Sequence, residues 1–384
     1  MDNVQENNVA KVPVISVLGV DKYVETHIVS SEEIQARGRD FINWGPRNDF
    51  PEYLYKLYKQ VTTLHSVIGQ CVDYVSGNKV VCKPLFDGKF MNSDRVTPRQ
   101  FVRNAARDYF IYGGFVFNVV RAEDGHVLEV YNMDMRRIRS NKENTVFYYS
   151  EDWAKRWGKT KDLVLPMFDA DLDWNALEKP EDKKAHGSSI AYFKGEEGGT
   201  YPCCLYEAAI KDCEIERMIE EFHLNDLNNG FAASYFINIL SGVPEKEVAK
   251  QVEKELNEKL AGYQNAGRLV VNFADDKEHM ATAQRMEASN FEERYNTLAK
   301  RARAQIFAAF HANPNLVGIA TENLGFNSEE YAEAFKLFNR TQIAPVQTMI
   351  AEAINSIYDA GLTITPFSLT APGENVTAAG GANA

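Results

Sequence analysis

The stretch from residue 307 to 335 reads FAAFHANPNLVGIATENLGFNSEEYAEAF. An Ala-rich apolar helix runs into Asn313-Pro314, glycines follow at 318 and 325, and a second helical pattern opens at once. His311, Asn313, Asn315, Thr321, Glu322 and Asn323 crowd between the two helices. That composition suits either a catalytic pocket or a loop held in a fixed place. A catalytic reading needs a nucleophile in an elbow context beside His311, and no Cys or Ser supplies one. A His that closes a helix is expected instead as a favourable charge at the negative end of the helix dipole. Pro314 is expected to stop the first helix, because it lacks an N–H and its ring clashes one turn back. Gly318 and Gly325 let the chain turn tightly, and Asn327 or Ser328 caps the next helix with Glu330 close behind. Asn315, Thr321, Glu322 and Asn323 remain as short polar groups with no fixed positive charge. The reading is a mechanical loop.

Working outward, SNFEERYNTLAKRARAQIFAAF (289–310) places Phe291, Tyr295, Leu298, Ala302 and Ile306 on one helical face. On the far side, residues 327–361 carry an apolar stripe of Tyr331, Phe335, Phe338, Val346, Ile350 and Ile357. Pro345 sits inside that pattern and is expected to kink the helix. An earlier long helix opens at Pro202 and stops at Gly230, with Leu205, Ala208, Ile215, Ile219 and Phe222 as its stripe. Its other faces hold seven acids against two bases. Between these helices lie the strand-like FAASYFINILSG, the charged helical PEKEVAKQVEKELNEKL and the strand-like GRLVVNFA. LTITPFSL closes the pattern as a strand.

Residues 12–200 read as a mixed α+β region. Leu54, Leu57, Tyr58, Val61, Leu64, Ile68, Val72 and Val75 recur at helical spacing up to Gly77. In TPRQFVRNAARDYFIYGG, Thr97 is the N-cap, Pro98 the first helical residue and Gly113 the terminator. FVFNVVRAEDGHVLEVYNM reads as a hairpin turning at Asp124-Gly125.

The chain has 384 residues, 45% hydrophobic and 25% charged, enough for two or three domains or one large elongated subunit. Lys plus Arg 42 against Asp plus Glu 54 gives −12. No basic face for phosphate backbones is advertised, so nucleic acid is expected to be held weakly or not at all. Five cysteines without CxxC spacing argue for reduced thiols rather than a zinc site or a disulfide framework. The polar start MDNVQENNVAK is unlike a signal peptide, and the apolar run 12–20 is too short to span a bilayer. The expectation is a soluble intracellular product with no membrane association.

Chemistry finds little support. No GxxxxGK[ST] occurs, and GEEGG (195–199) lacks the spacing of a phosphate loop. Asp169, Asp171 and Asp173 start like a calcium loop, but position six is Trp174 and position twelve is Pro180. Glu216, Glu220, Glu221 and Asp226 cluster on one helix, yet only Glu220 and His223 supply a Glu-x-x-His pair where two are needed. No catalytic residue, metal or cofactor is expected.

The order of these parts is specific: a mixed N-terminal half with YGGFVFNVV and YNMDMRRIR, the long helix from TYPCCLYEAAIKDC, a small domain ending NAGRLVVNF, then QIFAAFHANPNLVGI and a long interrupted helix. This succession, and above all F-x-A-N-P-x-L-x-G-I, resembles the portal proteins of tailed bacteriophages, in the branch similar to lambdoid-type siphophage portals. The likeness spans about 45–360. Asn313 stands where the family often has Val, and the stretch before the first long helix is unusually acidic and Gly-rich. The resemblance implies an α+β, elongated subunit: disordered tails at 1–11 and 371–384, a wing at 12–201, stem helices at 202–230 and 287–311, and a small α/β clip at 231–286. It implies a tunnel loop at 312–327 and a tunnel helix with return to the wing at 328–370. The loop's Asn315, Thr321, Glu322 and Asn323 then face DNA, with Pro314, Gly318 and Gly325 as hinges and Pro345 as the helix kink. It further implies a ring, usually a dodecamer, at one capsid vertex of the virion, assembled in the host bacterial cytoplasm. Genome is packaged through it by terminase and later ejected. Expected partners are other copies of the chain, the terminase large subunit, the major capsid and scaffolding proteins, a head-completion or adaptor protein, and double-stranded DNA passing non-specifically. The alternative is another non-enzymatic phage neck or scaffold interaction protein.

Overall fold

The computed structural model describes residues 15–17, 28–153, 162–195, 199–228, 235–239, 247–248, 251–252, 269–273, 289–317 and 328–368. The chain divides into two compact units. One takes Met1–His27 and Ile215–Lys300; the other takes Ile28–Glu214 and Arg301–Ala384.

In chain order, β1 (Ile15–Val17) belongs to the first unit. The second unit begins with the short antiparallel pair β2 (Glu33–Gln35) and β3 (Ile42–Trp44). The helical pattern up to Gly77 divides into α1 (Phe50–Gln60) and α2 (Thr62–Ser76), with the break at Val61, whose backbone is extended. After β4 (Lys79–Val81), α3 runs Pro98–Tyr112 with the caps its sequence announces. The Thr97 side chain accepts a hydrogen bond from the Gln100 amide at 3.3 Å, and Gly113 turns left-handed with φ 86°. β5 (Gly114–Arg121) and β6 (Val127–Met133) form the hairpin, turned at Gly125 with φ 92°. β7 (Ile138–Ser140), β8 (Val146–Tyr149) and β9 (Leu163–Pro166) make an antiparallel sheet. After the short α4 (Pro180–His186), β10 (Ser188–Lys194) pairs antiparallel with β5, giving the sheet order β10-β5-β6.

The core of this unit forms where α2 and α3 pack, and α3 lies on β5. Leu64, Ile68, Val75, Phe101, Val102, Phe115 and Phe117 are fully buried, each contributing about 1.5–3 kcal/mol relative to exposure. Arg139 is fully buried too, a costly position for a charge unless its donors are satisfied. Its guanidinium donates to the Arg136, Ile138 and Asn48 carbonyls at 3.1, 2.7 and 2.8 Å and to the Asn48 side chain, and it lies over Trp153. Burial lowers its pKa to about 10, so it stays charged at neutral pH.

The first long helix begins later than Pro202 suggests. A 3-10 turn at Glu207–Ala209 leads into α5 (Ile210–Asn228). Residues before it are claimed by tertiary contacts. Tyr201 stacks flat on Trp44 at 4.5 Å, the Thr200 and Tyr201 amides donate to the Glu33 carboxylate, and the Tyr206 hydroxyl donates to the Ile111 carbonyl. The buried stripe moves accordingly to Ala209, Ile210, Cys213 and Ile219, while Ala208 and Phe222 are exposed. The second long helix is α6 (Ser289–Ala309), whose Ile306 and Phe307 enter the core of the larger unit. The Asp169–Asp173 loop serves as local capping: Asp173 accepts from the Asn175 and Ala176 amides and Asp169 from the Asp171 amide. The five cysteines are unbridged.

In the smaller unit, β11 (Tyr235–Ile239) and β12 (Leu269–Phe273) pair in parallel. The charged helix expected between them lies outside the described residues except for helical fragments at 247–248 and 251–252. β1 adds to the free edge of β12, antiparallel. Residues 15–17, grouped by sequence with 12–201, therefore fold with 215–300 instead, because the edge of β12 offers them a backbone ladder.

At Gly113 the turn from α3 to β5 runs against the backbone of Cys203, in the segment before α5. A Cβ there meets the Cys203 carbonyl oxygen at 1.9 Å, whereas one at Gly38, also left-handed at φ 68°, meets nothing within 4 Å. Gly38→Ala is expected to cost about 1 kcal/mol in urea unfolding, and Gly113→Ala about 3 kcal/mol or more because a backbone clash adds to the strain. Equal costs for the two variants refute the close approach.

Candidate functional site: the loop after the second long helix

α6 is closed by His311, not by Pro314. His311 adopts φ 50°, its amide donates to the Ala308 carbonyl at 3.0 Å, and the Ala312 amide reaches back to the Phe307 carbonyl at 3.0 Å. These are the two bonds of a Schellman ending, in which the left-handed position is usually Gly. Asn313 then organises the next turn: its side chain accepts from the Asn315 amide and its carbonyl from the Leu316 amide. Pro314 opens the 3-10 turn Pro314–Val317, where its missing N–H costs nothing. Leu316 is buried, and its carbonyl accepts from the Tyr74 hydroxyl at 3.2 Å.

The chain returns as α7 (Ser328–Phe338), followed by a π-helical stretch Asn339–Ile343 and then α8 (Ala344–Ile357). The Ala344 amide donates five residues back to Asn339, and Thr341 donates its hydroxyl to the Leu337 carbonyl. Pro345 lies just past this stretch, at the start of α8. Phe338 and Val346 are eight residues apart, which in an uninterrupted helix separates them by about 80° around the axis. An offset of that size lies within an ordinary apolar stripe, and Phe335 and Phe338 of α7 and Val346 and Ile350 of α8 are all buried.

Both arms meet at Tyr74, on the last turn of α2. Its ring lies edge-on to Phe335 at 5.2 Å and to Phe338 at 6.3 Å, with Phe367 5.2 Å away. From α8, the buried Gln347 amide donates to the Tyr74 and Val75 carbonyls at 3.2 and 3.0 Å, satisfying the end of α2. Burial pushes the Tyr74 phenol well above its ordinary pKa. Leu316 on one arm and Phe335 and Phe338 on the other therefore converge on one residue. β13 (Thr363–Thr365) then pairs with β4, and Phe367 beyond it packs on Tyr74.

Of the predicted site residues, Asn315 is half-buried in the 3-10 turn and Pro314 opens that turn. Gly318, Thr321, Glu322, Asn323 and Gly325 lie outside the described residues. Tyr74 and Gln347, which hold the site, escape notice in the sequence because each reads there as part of an ordinary helix. Elsewhere a cleft of about 1200 Å³ lies beside Arg136 and Trp153. There Arg136 pairs with Asp134 and Glu52 and lies 3.9 Å over Tyr55, and Arg47 pairs with Asp49.

The phage portal protein family model matches residues 89–365, well over half of the chain. The chain belongs to the phage portal protein family. That family is structural rather than enzymatic. Two solved structures are similar in fold, each over 88% of this chain and 86% of its own length at 16% identity. One comes from the virion of a native gene transfer agent particle, at TM-score 0.53, and one from the neck of an empty particle computed with C6 symmetry, at 0.52. An HK97 family portal protein from Corynebacterium diphtheriae is similar at 12% identity and TM-score 0.45, over 79% of this chain and 90% of that one. A curated tyrosine–tRNA ligase of Mycoplasmoides gallisepticum is 20% identical over 58% of this chain, which spans half the length of that relative. No helix among the described residues is long and apolar enough to cross a membrane.

Tyr74→Phe keeps the aromatic cluster and leaves the Leu316 carbonyl without its donor. It is expected to cost about 1–2 kcal/mol and to speed amide exchange at 315–317, measured by hydrogen–deuterium exchange. Unchanged exchange there contradicts the anchoring role.

Proposed function

We propose that many copies of this portal protein close into a ring that conducts double-stranded DNA at one capsid vertex, packaging it with a separate motor and releasing it by the same route. The observation that carries the ring is the fate of the helical stripes. On α6, Ala302 and Ile306 are buried, but Leu298 of the same stripe is 43% exposed. On α5, Met218 and Phe222, one turn apart, are 42% and 46% exposed, and Phe222 stacks on Tyr295 of α6 at 4.9 Å. An apolar seam left open along two adjoining helices is suited to cover by further copies, and a closed ring covers it in every copy. The symmetric neck particle among the similar structures supports the same arrangement. A dodecamer is the copy number the family resemblance favours.

In this reading α5 and α6 are stem helices, the unit built on β11 and β12 is the clip, and the body of the larger unit is the wing. Residues 312–327 are the tunnel loop, presenting Asn315, Thr321, Glu322 and Asn323 to passing DNA, with α7 and α8 as the tunnel helix. The net charge of −12 supports a conduit that does not grip its cargo; acidic walls repel phosphates over roughly 8–10 Å at physiological salt. Terminase, capsid, scaffolding and head-completion proteins are the partners such a ring would meet.

Phe222→Asp places a charge in the seam while leaving the buried core untouched. Light scattering of the full chain is expected to fall from ring mass toward single copies, with helical content unchanged; a ring that persists refutes the seam. Shortening the loop within 319–324 spares Leu316 and its Tyr74 bond. Rings are expected to form normally while packaged DNA, measured by nuclease protection, drops at least tenfold. Normal packaging removes the loop's assigned role.

A further inference from the structure

The net charge of −12 conceals a region of the opposite sign. Residues 50–112, which carry α1, α2, β4 and α3, hold nine Lys and Arg against five Asp and Glu. Part of that surplus gathers where α2 passes into β4. Arg99 and Arg103, one turn apart on α3, both reach the end of α2. Arg99 donates to the Gly77 carbonyl at 3.0 Å, and Arg103 donates to the Ser76 hydroxyl at 3.3 Å and pairs with Asp73. Cations suit a helix carboxyl end. Lys79 has no such duty: it is exposed and makes no ion pair among the described residues.

β4 and β13 form a two-stranded ribbon with unlike faces. Val80, Cys82 and Ile364 pack on the core, whereas Lys79, Val81, Lys83, Thr363 and Thr365 are exposed. Lys79 stands opposite Thr365 and Val81 opposite Thr363. Thr365 passes so close to Gly77 that a Cβ there would meet its carbonyl oxygen at 2.0 Å, which brings the ribbon beside Arg99. The outer face therefore offers ammonium, guanidinium and hydroxyl donors together. Asp73 and Asp359 beside it are each already paired, with Arg103 and Lys83.

We propose that this face contacts the phosphate backbone of double-stranded DNA, at a place separate from the loop; the proposal rests on the ring reading for its cargo. Cations one helical turn apart are spaced about 6 Å along the axis, and alternate strand residues about 7 Å. Phosphates of one DNA strand rise about 3.4 Å each, so either spacing meets every second phosphate. A protein partner would seek an apolar centre, but here Val81 lies between two lysines. A few phosphate contacts are readily released by salt, so the face steadies a duplex without gripping it.

The test is fluorescence anisotropy of a labelled short duplex with the full chain across a salt series, with light scattering of the same samples recording assembly. The unsubstituted chain is expected to bind with a slope of log affinity against log salt of about −2 or steeper. Lys79→Gln with Lys83→Gln is expected to weaken binding about tenfold at low salt and to make the slope shallower by about 1–2. Lys79→Arg with Lys83→Arg keeps both. Lys179→Gln with Lys184→Gln, an equal loss of charge at exposed positions of α4 and its cap, leaves both unchanged. No binding by the unsubstituted chain at low salt, or equal losses in the two Gln pairs, overturns the proposal. So does displacement of the duplex by polyglutamate as efficiently as by unlabelled duplex, which assigns the face to an acidic protein. Binding through Lys79 and Lys83 by a chain that forms no ring supports the contact and overturns the ring reading, while rings that ignore duplex overturn the contact alone.

Discussion

Tyr74 ends α2 at a point where chain segments far apart in sequence must agree on one geometry. Its hydroxyl reaches the carbonyl of Leu316, its ring receives Phe335 and Phe338, and its own carbonyl accepts from Gln347. A buried phenol and a buried amide are tolerated only when their hydrogen bonds are made. Each therefore fixes its partner as firmly as it is fixed. The consequence is that Leu316 and the α7 face carrying Phe335 and Phe338 are held against the same side chain. That is the requirement a loop must meet if its position matters more than its chemistry.

The same economy governs the two long helices. α5 leaves the larger unit through Tyr201, stacked on Trp44, and Tyr206, bonded to Ile111; α6 returns through Ile306, Phe307 and Phe310, with Phe310 stacked on Tyr206 at 5.7 Å. The helices are rooted in the core at one end, where their apolar residues are fully covered. Further along α5, and earlier in α6, Met218, Phe222 and Leu298 lose that cover. An apolar face left half open in one chain is the kind of surface the proposed ring would cover.

Much of this fold is legible in the amino-acid sequence wherever local chemistry decides. Thr97, Pro98 and Gly113 announce α3 because caps act within one turn, and the turn at Asp124-Gly125 announces the hairpin. Other features depend on partners far away in sequence and leave weaker signals. Pro202 looks like a helix start, but Tyr201 and Tyr206 find aromatic and carbonyl partners that outweigh one more helical turn. Pro314 looks like a helix stop, yet the left-handed His311 has already closed α6. Pro345 looks like a kink inside one helix, but it falls at the start of α8, just after the π stretch Asn339–Ile343, which leaves no local mark of its own. β1, three residues long with a partner more than 250 residues away, carries no local mark of its pairing. The loop residues proposed to face DNA are short, polar and without positive charge, and of these only Asn315 falls among the described residues.

The central claim is that the open seam of α5 and α6 is covered by further copies around an axis wide enough for a duplex. A cryo-electron microscopy reconstruction of the purified full-length protein tests it most directly. The account predicts a closed ring with an open axial channel, in which Met218, Phe222 and Leu298 lie against the adjoining copy. Particles of a single copy, or a ring whose channel is shut or whose seam faces solvent, contradict it.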